Sequence, residues 1–162
     1  MLPKFFLVIV FFGLSSFTYN TKTINNDYSE FTEISNSIIK LVNQIRTEGC
    51  QCGDTYYPPV NPLTYNYLLE DAALNLSKDM DKNNFFNHLD SKGQNVTNRL
   101  NNVGYKWLAC AENIAKNQET PEAVVKAWIN SPKHCKNLMN QDFDEMGVAK
   151  IGPYWTQVFG TK

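Results

Sequence analysis

The chain has 162 residues, 43% of them hydrophobic, and a formal net charge of −1, which suits one compact domain with a core of its own. Its 15 basic and 16 acidic side chains are scattered, with no basic stripe. No nucleic-acid partner is therefore expected, since that binding is driven by clustered Lys and Arg that release counterions.

Residues 1–16 carry a single basic side chain, Lys4, followed by an unbroken apolar run from Phe5 to Leu14 and the small pair Ser15-Ser16. This is the layout of a secretory signal peptide. A bilayer takes about 20 apolar residues, and no segment reaches that, so an exported protein that does not span a membrane is expected. Residues 17–32 are polar and without periodicity and read as a disordered leader, leaving a domain over 33–162.

Ile34, Ile38, Leu41, Val42 and Ile45 recur at helical spacing, and Gly49 stands where a helix end needs positive φ. Residues 50–62 hold two cysteines and Pro58, Pro59 and Pro62, which predicts an irregular, disulfide-pinned loop. A second helix is predicted from about Asn66 to Met80, with Leu69, Ala72, Ala73, Leu76 and Met80 as its apolar stripe. Asn95 or Thr97 can cap a short third helix that ends near Gly104. Thr120, Pro121 and Glu122 supply a hydroxyl cap, a proline and an acid for the start of a fourth. That helix presents Val124, Ala127 and Trp128, and Ser131-Pro132 repeats the device for a helical turn containing His134. The period then changes. Met146, Val148 and Ile151 alternate, Gly152-Pro153 turns, and Tyr154 to Phe159 is aromatic and β-branched, so the chain closes on strands.

The four cysteines, Cys50, Cys52, Cys110 and Cys135, all lie in the exported part, where disulfides are the default. Two bridges are expected, Cys50 with Cys110 and Cys52 with Cys135, or the crossed alternative. A zinc site is the rival, but it normally uses ligand pairs two to four residues apart, and C-x-C with two scattered cysteines fits poorly. No phosphate loop, dinucleotide fingerprint, zincin motif or nucleophile elbow is present.

The segments "FFNHLDSKG", "CAENIA", "ETPEAVVKAWINSPKHCKNLMNQDFDEMGVA" and "YWTQVFG" together resemble the CAP superfamily, or SCP domain, which includes cysteine-rich secretory proteins, venom antigen 5 and plant pathogenesis-related proteins. The resemblance is nearest to its compact bacterial branch and covers about Ile34 to Phe159. It implies an α+β fold, a three-layer α-β-α sandwich with a small, mostly antiparallel sheet and a cleft on one side. In that family the cleft gathers two histidines and two acids. Position by position, these fall on His88, on Glu112 of the Glu-Asn-Ile motif, and on His134. The second acid, the last residue of a Trp-x-x-Glu motif, is Ser131 here, after Trp128, and the residue before His134 is Lys133. Glu145 is near in sequence and can offer a carboxylate, although the motif does not place it in the acidic position.

Two imidazoles with one or two carboxylates can hold zinc or another divalent metal through His88 and His134, or work as an acid and base pair. The same groups can also be a purely structural hydrogen-bonded network. Three functions follow as expectations. One is an extracellular binding module for a small molecule, lipid or sterol. The second is an effector that contacts a cell-surface partner, and the third a metal-assisted hydrolase. A monomer is expected.

Overall fold

The computed structural model describes the backbone of residues 21–162 and the side chains of residues 33–162. The signal peptide expected at residues 1–16, and residues 17–20 of the leader, lie outside the described residues. Helix α1 (Thr21–Glu48) starts well before Glu33, so residues 21–32, expected as a leader, form its first turns. That stretch holds no Gly or Pro, and a helix anchored at its packed end propagates easily once nucleated. Beyond it the predicted stripe is in place: Ile38 and Val42 are fully buried, and Ile34, Leu41 and Ile45 pack against the same cluster. Gly49, at φ +77°, ends the helix, and a Cβ there would meet the Tyr56 hydroxyl and the Tyr57 carbonyl.

The segment expected as an irregular loop contains a small hairpin, β1 (Cys50–Cys52) against β2 (Thr55–Tyr57). Strand β3 (Thr64–Tyr65) leads into α2 (Tyr67–Asn83), whose first amides Leu68 and Leu69 donate to the Asn66 side chain. All five residues of the predicted α2 stripe are fully buried. Helix α3 (Val96–Asn102) opens on a capping box between Asn95 and Asn98. Strand β4 (Ala109–Lys116) follows, then α4 (Pro121–Asn130) capped by the Thr120 hydroxyl, α5 (Pro132–Leu138), β5 (Glu145–Ile151) and β6 (Tyr154–Thr161).

The main sheet has the order β3-β5-β6-β4, with β3 parallel to β5 and the other pairs antiparallel. Side-chain alternation divides its two faces. Met146, Val148, Trp155 and Phe159 pack with Ile38, Val42, Val124 and Trp128 on one side. On the other, Ala149 and Val158 meet Leu69, Ala72 and Leu100, while Ile114 and Tyr154 meet Leu76 and Met80. The sheet thus lies between a layer of α1, α4 and α5 and a layer of α2 and α3, the α-β-α sandwich expected.

Helix α2 packs tightly on the sheet at Gly147, where an added Cβ would run into the backbone of Leu69 and Glu70. Neither neighbour is a flexible side chain, so the strand or the helix would have to move. Gly147→Ala is expected to cost about 3 kcal/mol, at the upper end of overpacking penalties. Chemical denaturation checks this, and a change below about 1 kcal/mol would show that the helix shifts freely.

The disulfide expectation is corrected. Cys52 and Cys135 are bridged across 83 residues of sequence, as one of the two pairings had it, but Cys50 and Cys110 are free thiols. Cys110, on β4, packs beside the α2 and α3 side cluster, whereas Cys50 lies with Cys52 and Cys135 next to α5. The sheet separates them, so neither Cys50–Cys110 nor the crossed arrangement forms.

Candidate functional site

Glu112 sits in the middle of β4, and β4 is the last strand of its sheet. The Glu112 side chain is 4% exposed, and both of its oxygens are engaged. The Arg99 guanidinium, itself 2% exposed, donates to Oε2 at 2.6 Å, and His88 Nδ1 lies 2.8 Å from Oε1. A carboxylate holding a guanidinium can only accept, so Nδ1 of His88 is the donor in this contact and Nε2 is left free of it. Arg99 also donates to the carbonyls of His88 (3.3 Å) and Gln94 (2.8 Å). One buried cation from α3 therefore fixes both the loop that carries His88 and the acid that orients its ring.

The next residue, Asn113, points to the opposite face of β4. Its amide donates to the His134 carbonyl at 3.2 Å and to Gln157 Oε1 at 3.1 Å. Asn137 of α5 donates to Asn113 Oδ1 at 2.9 Å and to the Glu112 carbonyl at 3.4 Å. Glu112 and Asn113 are thus a clamp with two faces, one holding the His88 loop and the other the short helix that bears His134. Burial holds the His134 imidazole below its ordinary pKa, and the nearby His88 and Lys133 push it the same way. His134 is therefore neutral at neutral pH.

Glu145 does not join this group. It sits at the start of β5, accepting from Tyr105 Oη at 2.6 Å and Asn66 Nδ2 at 2.9 Å and facing Lys162 Nζ at 3.3 Å, so it ties the α2 cap to the segment after α3. Its expected carboxylate role in the cleft is corrected accordingly. Sequence proximity to His134 misled because the chain turns away through residues 139–144. Ser131 caps the junction of α4 and α5 by its backbone, without a side-chain cap bond. Among the described residues, the group of three or more potential metal ligands lying within 4.8 Å of one another is Cys50, Cys52 and Cys135, not the histidine cluster. No helix among the described residues is long and apolar enough to cross a membrane.

Sequence reasoning missed Arg99, Asn113 and Asn137, which position the two histidines. A signal existed for Arg99: it falls one helical turn after the Asn95 cap and next to Leu100, which is fully buried, and an arginine drawn into a core must have a partner. The two asparagines carry no signal that distinguishes them from the other asparagines of the chain.

A family model described as the cysteine-rich secretory protein family, CAP, matches residues 39–158. YkwD of Bacillus subtilis, described as uncharacterised, is 32% identical over 141 residues, which are 86% of this chain and 51% of that protein. Among solved structures, an extracellular protein of Bacillus anthracis containing an SCP domain superposes with a TM-score of 0.72 at 29% identity, over 82% of this chain and 41% of its own. An outer surface protein of Borrelia burgdorferi shares the fold, with a TM-score of 0.62 at 21% identity over 90% and 96% of the two chains. The chain spans about half the length of YkwD.

Proposed function

Because the chain belongs to the cysteine-rich secretory protein (CAP) family, we propose that it is an exported binding module whose cleft presents the imidazoles of His88 and His134 to its ligand. One observation carries this reading: both oxygens of Glu112 are already engaged, by Arg99 and by His88. The cleft then offers two imidazoles and no free carboxylate, which suits recognition better than hydrolysis. A hydroxyl or amine donor on a small polar or amphiphilic molecule fits such a pair. So does a borderline divalent ion such as zinc, held by the two imidazoles with its other positions left to water. Glu112 would then act through His88, orienting its ring without touching the ion. Two protein ligands are fewer than a closed structural site uses, so the affinity is weak.

Zinc is the probe, with the protein kept oxidised. Calorimetry is expected to show one weak site at neutral pH that His134→Ala removes. Equal heats from wild type and variant would take His134 out of the cleft's chemistry. The pH dependence has a definite sign. His134 has a folded pKa below 6.5, so between that value and 6.5 the folded state binds fewer protons than the unfolded chain. The stability it contributes is present above pH 6.5 and lost as pH falls through the folded pKa. Zinc binding, which needs the neutral ring, fades over the same window.

A further inference from the structure

The cleft makes no use of the cysteines, yet three of them converge. The Cys50 sulfur lies 3.5 Å from Cys135 Sγ and 3.7 Å from Cys52 Sγ, beside the bridge that joins those two. We propose that Cys50, Cys52 and Cys135 form a thiolate site for a zinc-class thiophilic ion, with the Cys52–Cys135 disulfide as its oxidised, metal-free state.

Tetrahedral zinc at about 2.3 Å from each sulfur sets its thiolates about 3.8 Å apart. Two of the three separations already stand close to that, and the third opens when the bridge is reduced. The ligands come from elements held in place without the bridge. Strand β1 is paired with β2 from Cys50 to Cys52, and the Cys135 amide donates to the Ser131 carbonyl at 2.8 Å within α5. Met139 is buried in the same cluster, and Ile45, Tyr57, Val60 and Ile129 pack against it, so a bound ion would sit in a shell of low polarity that strengthens its bonds to sulfur. The site escapes the usual paired-ligand spacing because its third member lies 83 residues after the second.

The chemistry balances with a dithiol as reductant. Its two sulfurs form a disulfide and pass two electrons and two protons to the Cys52–Cys135 bond, which becomes two thiols. Binding a divalent ion then releases three protons, one each from Cys50, Cys52 and Cys135. A disulfide of that reductant's class reverses the sequence: it takes the two electrons and two protons to become a dithiol, Cys52 and Cys135 re-form their bond, Cys50 regains its proton and the ion leaves.

The test uses the whole chain, reduced with a trialkylphosphine that leaves as the phosphine oxide and is removed, and cobalt(II) as the spectroscopic substitute for zinc. One cobalt per reduced chain is expected, with a sulfur-to-cobalt charge-transfer band and the visible absorption of tetrahedral cobalt; the oxidised chain should show neither. Cys50→Ser keeps the bridge and its fold, and after reduction should bind cobalt about tenfold more weakly or worse. Cys110→Ser and His134→Ala should leave the spectrum unchanged, which separates this site from the cleft. If reduction unfolds the chain, cobalt is expected to restore its near-ultraviolet circular dichroism. Failure to do so, absence of the sulfur band, or full binding by Cys50→Ser would overturn the proposal.

Discussion

Arg46→Met is expected to cost about 5 kcal/mol, as much as the whole stability of many domains of this size. Arg46 is fully buried near the end of α1. Its guanidinium donates to the carbonyls of Asn61 (2.7 Å), Leu138 (2.7 Å), Asn140 (2.9 Å) and Phe143 (3.2 Å). Burial lowers its pKa to about 10, with Asp144 opposing the shift, so it remains charged at neutral pH. Methionine fills much of the same volume but donates nothing, and each stranded carbonyl costs about 1–3 kcal/mol. Two irregular segments, 58–63 and 138–144, would lose their common anchor together. Urea denaturation of wild type, Arg46→Met and Arg46→Lys measures this; lysine keeps the charge but lacks the forked donors and should recover less than half. A loss below about 2 kcal/mol for the methionine variant would mean that water reaches these carbonyls.

Loss of the disulfide is expected to be nearly as costly. For the loop between Cys52 and Cys135 the chain-entropy model gives about 4.5 kcal/mol, an upper figure that measured values often miss. The two cysteines are not equivalent in such an experiment. In Cys52→Ser the free Cys50 thiol stands 3.5 Å from Cys135 and can take over the bridge, whereas Cys135→Ser leaves Cys50 and Cys52 only each other, a pairing that closes no long loop. The expected order of thermal stability is wild type first, Cys52→Ser close behind and Cys135→Ser well below. Equal losses from the two single variants would show that Cys50 cannot substitute.

The helices were legible because their signals are local. Asn95, one of two caps expected there, and Thr120 both cap, Asn66 caps the helix expected to begin near it, and the stripe read for α2 is buried throughout. Strand β4 was not legible: "ACAENIAK" has one β-branched residue and no clean alternation. It is a strand because β6 pairs with it over eight residues, and context of that kind overrides propensity. The short strands β1, β2 and β3 are too brief to leave a period. At the candidate site, resemblance named His88, Glu112 and His134, but what holds them was hidden. Arg46 and Arg99 look like surface charges in a one-dimensional reading, although Ile38, Val42 and Arg46 follow at four-residue intervals along the buried row of α1. The cysteine count misled because it assumes that thiols come in pairs, while the fold gathers three on one side of the sheet and leaves the fourth on the other.

The two-faced clamp on β4 also limits how this domain can change. Glu112 and Asn113 do different jobs only because neighbouring residues on a strand face opposite ways. Deleting or inserting one residue between β4's first ladder partner and Glu112 would exchange them, turning the carboxylate toward α5 and the amide toward Arg99. Arg99 would be left without a counter-charge, and both histidines would lose their supports in one step. Length variation in descendants of this chain should therefore gather in the loops on either side of β4, and the strand itself should keep its residue count even where its sequence drifts.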